Sequence, residues 1–270
     1  MAVIALTGAP QGGSTTAALA LLYGWPSTPV LLVDADVDVG PIRAGLLQTA
    51  MGPQVGLPAM DAAARQGVLD QAISHHCVQL GTAAAPRLVL PGLTDPAQAG
   101  SLEYSWDALA MSLRSLAARG VDVLIDMGRS GMNGRQVALA RAADAMLVVA
   151  TSTLASAAAA APRLVRVRAQ LATSGPGPLL GLVVVEASRR AGHRYSAAEI
   201  SRQLALPLVG SLAHDPETAL YLTTGGSVPR GLERTELVRS GRTLALRVRS
   251  LLAERDAVIG LPQGVVVNRG

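Results

Sequence analysis

Runs of aliphatic and β-branched residues without polar alternation recur along the chain at residues 2–6, 30–34, 87–90, 122–126, 145–150 and 180–185. An apolar run of this kind is the mark of a strand buried on both faces, as in a parallel sheet. Alanine- and leucine-rich stretches of helical length lie between or after these runs, at residues 15–23, 104–119, 135–142, 156–171, 197–204, 216–223 and 236–254. The alternation predicts βα units, and so an α/β fold of three layers: a mostly parallel sheet with helices on both faces. Residues 40–85 mix weak helical patterns with Gly and Pro, and there the pattern leaves the elements open.

Connections are short, so the pattern predicts one domain over residues 1–257 and a C-terminal tail at 258–270. TSGPGP at residues 173–178 reads as a turn between helix and strand. The alanine run at residues 157–161 continues into LVRVRAQL and reads as a helix packed closely on the sheet. The tail breaks at Gly260 and Pro262 and ends in a valine run that either adds an edge strand or binds a partner.

Composition narrows the chemistry. The 270 residues are 50% hydrophobic and 16% charged, which describes a well-cored globular chain. All 23 basic residues are arginine, there is no lysine and no Phe, and the only asparagines are Asn133 and Asn268. Schiff-base enzymes, lysine general bases and the lysine that grips phosphates in a P-loop are therefore excluded. The net charge of +4 arises in the C-terminal third: residues 1–185 carry 11 Arg and 11 acidic residues, residues 186–270 carry 12 and 8. The lone Cys77 excludes an internal disulfide framework and fits a reducing cytoplasm. No secretory signal pattern opens the chain, and no apolar run reaches the roughly 18 residues of a membrane span. The expectation is a soluble, cytoplasmic protein.

Directly after the first apolar run comes GAPQGGSTT, Gly8 to Thr16, which matches the P-loop spacing G-x-x-x-x-G-K-[ST] except that Ser14 stands where lysine belongs. A glycine-rich turn between a buried strand and a helix N-terminus aims backbone N–H groups and the positive end of the helix dipole at one point, which suits a phosphate. At this point a plain βα turn with Ser14 or Thr15 as N-cap also fits. The second run ends in LLVDADVDVG, with Asp34 and Asp36, and a later one in VDVLIDMGRSG, with Asp126. Each carboxylate taken singly is also explained as a turn cap. Together they place three acids and one glycine loop at the carboxyl edge of the sheet, where open α/β sheets bind ligands and where carboxylates commonly hold Mg²⁺.

This order of motifs resembles the ParA/MinD group of P-loop ATPases, over roughly residues 2–254. LARAADAMLVVATSTLAS and YSAAEISRQLALPLVGSLAHDPETAL are similar to the segments that follow the Walker B strand in that group, and the GG-S-T-T loop is most similar to its CpaE/TadZ-like branch. The resemblance implies ATP and Mg²⁺ as cofactors. It implies a phosphate loop of Gly8, Gly12, Gly13, Ser14 and Thr15, with Thr16 near the α-phosphate. Metal ligation falls to Thr15, Asp34 and Asp126, directly or through water, and Asp36 orients the attacking water. Gly128 would offer a backbone amide near the γ-phosphate, and Arg129 is the best-placed substitute cation.

The chain departs from the group where its cations belong. Ser14 replaces the Walker lysine, Ala9 the signature lysine that reaches across the group's dimer, and Glu186 stands nearest the position of an adenine-reading Asn. A cation about 4 Å from a phosphate oxygen contributes roughly 4 kcal/mol at an effective dielectric near 20. Losing two such contacts weakens turnover more than ground-state binding. The resemblance therefore implies a positioning, partition or assembly factor with weak or no hydrolysis. Its implied partners are a second copy in a homodimer, a protein of an assembly system and, weakly, DNA. The alternatives are a nucleotide-independent scaffold and a small-molecule enzyme like the dethiobiotin synthetases, which also need the missing lysine. His75, His76 and Cys77 are adjacent but lack further ligands for a metal site, no G-x-S-x-G follows a strand, and the arginines at 239, 242, 247, 249 and 255 read as a solvated helix face.

Overall fold

The unbroken apolar runs become the interior strands of an eight-stranded sheet in a computed structural model that describes residues 1–9, 12–26, 29–48, 51–82, 85–129, 132–172, 177–188 and 195–260. β1 is Val3–Gly8 and leads through the glycine turn into α1, Ser14–Gly24; β2 is Val30–Asp34. The stretch left open by the pattern folds as a π-helical turn at Ile42–Leu46, a 3₁₀ turn at Leu57–Ala59, α2 (Met60–Arg65), α3 (Leu69–His76) and β3 (Val78–Thr82). Then follow β4 (Ala85–Leu90), α4 (Trp106–Ala118), β5 (Asp122–Asp126), α5 (Val137–Ala142), β6 (Ala145–Thr151) and α6 (Leu154–Leu171). The chain closes with β7 (Leu179–Val185), α7 (Ala197–Leu204), β8 (Leu208–Leu212), α8 (Pro216–Thr224) and α9 (Glu236–Ile259).

The strand order is β3-β4-β2-β5-β1-β6-β7-β8, all neighbours parallel except β3 against β4. Both faces are covered. Val3, Ala5, Leu31, Val33, Val123 and Ile125 pack against α2 to α5, whereas Ile4, Leu6, Val30, Leu32 and Leu124 pack against α1, α8 and α9. Met146 faces the first layer, and Val148 and Ala150, of the same parity, extend it under α6 and α7. The three-layer α/β architecture follows directly, because strands buried on both sides leave no place for alternation.

The two edge strands, β3 and β8, are absent from the sequence reading. An edge strand has one neighbour, and VQLGT and LVGSL interrupt their apolar residues with polar residues and glycine, so neither presents an unbroken apolar run. The last helix also continues past Glu254 to Ile259 before Gly260 turns left-handed, so the helix runs into the stretch read as a tail. The valine run of the tail and most of TSGPGP lie outside the described residues.

α1 is apolar almost all round because it is enclosed between the sheet and α9. Seven of its residues are buried, and contact with α9 depends on two glycines. A Cβ on Gly241 would lie 2.3 Å from the Ala20 carbonyl oxygen, and one on Gly24 would lie 2.5 Å from the Arg242 nitrogen. Alanine is the better helix former by nearly 1 kcal/mol in an exposed helix. Here Gly241→Ala is expected to have the opposite sign and destabilise by about 2 kcal/mol or more through overpacking, measured by thermal denaturation. An unchanged or raised melting temperature would contradict the close α1–α9 approach.

Candidate functional site

The strand order puts three chain segments side by side at the carboxyl edge. β5 lies between β2 and β1, with Asp126 in register with Asp34 on one side and Leu6 on the other. The glycine turn therefore leaves β1 next to Asp126. Within it the Gly12 N–H donates to the Ala9 carbonyl at 2.8 Å, and Gly13 is left-handed (φ 80°) as the N-cap of α1. A Cβ on Gly12 would lie 2.8 Å from the Ala9 oxygen and 2.9 Å from the Val149 oxygen, so only glycine fits this crossing. Among the described residues no side chain caps α1, and the first N–H groups of a helix have no intrahelical acceptor. Neither Ser14 nor Thr15 is the N-cap. Pro10 and Gln11 lie outside the described residues.

Asp34 and Asp126 are 1% and 0% exposed, and the Oδ2 atom of each has no hydrogen-bond partner among the described residues. Burial pushes the Asp34 carboxyl up to about 8, with the neighbouring Asp126 and Asp36 adding to the rise. Burial likewise raises Asp126 to about 6, against the pull of the Thr15 hydroxyl and the Gly128 N–H. Asp36 is also raised by burial, and its Oδ1 accepts from the Asp38 N–H at 3.0 Å. Thr15, Asp34, Asp36 and Asp126 thus converge as the sequence reading expects.

Two glycines make the convergence sterically feasible. A Cβ on Gly92 would lie 2.6 Å from the Asp34 carboxyl carbon, and one on Gly128, which is left-handed at φ 58°, would lie 2.2 Å from that of Asp36. The backbone of Gly128 is fully engaged. Its N–H donates to Asp126 Oδ1 at 3.0 Å, and its carbonyl accepts from the Thr7 hydroxyl at 2.8 Å and the Gly8 N–H at 3.3 Å. The left-handed turn folds that N–H back on Asp126.

Arg129 Nε pairs with Asp38 Oδ2 at 3.1 Å, its side chain is 57% exposed, and among the described residues no hydrogen bond carries it to the glycine turn. The guanidinium that reaches the turn is that of Arg163 on α6. It donates to the Gly8 carbonyl at 3.2 Å and to the Arg129 carbonyl. Nothing local in the sequence marks Arg163, because 155 residues separate it from Gly8 and the contact exists only once β6 lies beside β1. Glu186 is exposed at the end of β7, on the same edge of the sheet.

The donor set here is hard oxygen, two carboxylates and a hydroxyl, which suits a magnesium-type ion better than a soft metal. Among the described residues no three His, Cys, Asp or Glu side chains form a closed metal cage, so an ion at this edge would complete its shell with water or ligand oxygens. Away from this edge, His76 Nδ1 accepts from the Gly56 N–H, and burial pushes the Cys77 thiol up to about 12.

No protein-family model matches the chain, and no curated protein matches it. Solved structures do. A ParA family ATPase from Chlorobium tepidum TLS superposes with a TM-score of 0.67 at 18% identity, covering 91% of this chain and 97% of its own. The septum site-determining protein MinD from Pyrococcus horikoshii OT3, complexed with Mg-ADP, gives 0.67 at 16% identity, covering 94% and 98%. A cobyrinic acid a,c-diamide synthase from Mycobacterium smegmatis, with bound ATP analog and magnesium, gives 0.65 at 18% identity and 96% of each chain. At these identities the likeness is one of fold: the chain has the three-layer fold of the ParA/MinD P-loop ATPases. No described helix is long and apolar enough to cross a membrane.

The raised carboxyls fix a pH dependence. Because the folded state holds protons that an unfolded aspartate releases near pH 4, their contribution to stability is complete below about pH 4. It is lost as pH rises through about 6 for Asp126 and about 8 for Asp34. The magnesium-free protein is expected to melt at progressively lower temperature from about pH 5 to pH 9, and Asp34→Asn to flatten that slope. Added Mg²⁺ should raise the melting temperature more at the alkaline end. The same slope in the Asn variant would contradict the assignment.

Proposed function

We propose that this chain, which has the ParA/MinD-type P-loop fold, is a positioning or assembly factor that binds ATP and Mg²⁺ at its glycine turn and hydrolyses nucleotide slowly or not at all. The observation that supports this reading is the pair of buried, unpartnered Oδ2 atoms of Asp34 and Asp126 beside Thr15. Two buried carboxylates, each with one oxygen unpartnered among the described residues, are costly unless a proton or a cation compensates them. Thr15, Asp34 and Asp126 are the residues that would hold Mg²⁺, which when bound supplies positive charge to phosphate oxygens. Gly8, Gly12, Gly13, Ser14 and Thr16 would line the phosphates, and Asp36 would orient water.

Slow turnover follows from the cations. Ala9 and Ser14 carry no charge, and Arg129 is committed to Asp38. Loop amides favour a bound phosphate in the ground state, whereas phosphoryl transfer needs fixed positive charge where the transition state develops it. The proposed assembly is a homodimer through the glycine-turn face that recruits a protein partner. DNA is left out, since Arg255 donates to the Asp144 carbonyl and Arg247 lies 3.7 Å from Glu254, which interrupts any arginine stripe on α9.

A second reading, a nucleotide-independent scaffold, draws on the engaged Gly128 N–H and on an Asp34 that keeps its proton at neutral pH. Titration with a fluorescent ATP analogue separates the two. Magnesium-dependent binding that Thr15→Ala abolishes is the expected result, and no binding at millimolar nucleotide would leave the scaffold. If the turn is a phosphate cradle short of a cation, Ser14→Lys should raise ATP hydrolysis about tenfold or more, followed by phosphate release. An inert Ser14→Lys that still folds would count against the cradle.

A further inference from the structure

Beside the glycine turn, and sharing none of residues 12–16 with it, lies a cleft of about 310 Å³ between the loop after β5 and the middle of α6. Three guanidiniums line it, those of Arg129, Arg163 and Arg166, and its apolar side is formed by Met132, Pro162 and Val167. No carboxylate is among the lining residues. Arg129 is paired with Asp38, but Arg163 and Arg166 make no ion pair among the described residues. Arg163 uses Nη1 for the Gly8 and Arg129 carbonyls, and Arg166 uses Nη1 for the Asn133 side-chain oxygen at 2.8 Å. A guanidinium has five donors, so the remaining ones are available to a ligand.

Three like charges held around one small space repel one another, and the pKa of Arg163 is lowered first by burial and then by Arg166 and Arg129. With Asp38 set against Arg129, the cleft carries an excess of two positive charges. A phosphate monoester carries close to two negative charges at pH 7 and offers three acceptor oxygens to forked donors. The volume lies at the lower end of small-molecule pockets, and the apolar wall suits an organic body rather than a bare ion.

We propose that the cleft between the β5 exit loop and α6 is a binding site for a small organic phosphate monoester, held by Arg163 and Arg166 with Arg129 at its rim. The site is separate from the proposed nucleotide site and does not depend on it. Arg163 nevertheless joins the two places, because the same guanidinium that borders the cleft holds the Gly8 carbonyl at the start of the glycine turn. An anion drawn to Arg163 therefore acts on the backbone from which the turn departs.

Phenyl phosphate, which joins a dianion to an apolar ring, is the probe, titrated calorimetrically against the full chain. Binding in the sub-millimolar range, tighter than inorganic phosphate and absent with phenol, is expected. Arg166→Gln is the principal variant, since among the described residues this exposed side chain holds only Asn133, and Arg163→Gln is the second. Each should weaken binding about tenfold or more. Thr15→Ala should leave it unchanged, which keeps the outcome independent of the nucleotide reading. Loss of binding in Thr15→Ala with no effect of Arg166→Gln would mean that the phosphate occupies the glycine turn, and would overturn the proposal. So would the absence of binding at millimolar phenyl phosphate, or equal competition by chloride at matched ionic strength.

Discussion

Two aspartates are buried next to each other at the ends of neighbouring strands, and among the described residues each keeps one oxygen without a partner. This is the most demanding arrangement in the molecule, because a buried carboxylate is tolerated only with a proton, a donor or a cation. The carboxyls of Asp34 and Asp126 meet it in the free protein by holding protons well above their ordinary range. The surrounding backbone is shaped to permit it. Gly92 and Gly128 approach the acids more closely than any Cβ would allow, and the Gly128 N–H is spent on Asp126.

The same constraint orders the sheet edge. Asp126 stands in register with Asp34 and with Leu6 because β5 lies between β2 and β1, and the glycine turn then begins within reach of both acids. Gly12 crosses the Ala9 and Val149 carbonyls where a side chain would collide, so the turn is held against the sheet rather than standing free of it. Behind it, α1 is clamped by α9 through Gly24 and Gly241. The acids, Gly12 and the helix that follows are closely packed along one edge, the kind of support a preorganised phosphate and cation site requires.

Charge is divided across this edge. The acids lie under the turn, and the positive charge that a lysine would have placed in the turn is found beside it, on Arg163 and Arg166 of α6. Arginine is not a lysine at a different address. In Arg163 one nitrogen, Nη1, donates to two carbonyls at once, which fixes backbone rather than reaching forward as a point charge. Arginines beside the turn, with no lysine in the chain, therefore set the chemistry of this edge without altering its frame.

The sequence by itself determined the interior strands, the order of the βα units, the glycine turn and its three acids, and the absence of lysine from the chain. These are local properties: unbroken apolar runs follow from burial on both faces, and glycine and aspartate at strand ends mark turns and ligand edges. Only the tertiary structure decided the rest. β3 and β8 lie at edges, where burial is partial and the pattern fails. The direction of the Gly128 N–H depends on a left-handed backbone that a one-letter code does not encode. Arg129 meets Asp38, and Arg163 meets Gly8, because strand order joins residues 91 and 155 positions apart. The partner of a charged side chain is set by which elements become neighbours, and that is a property of the whole sheet.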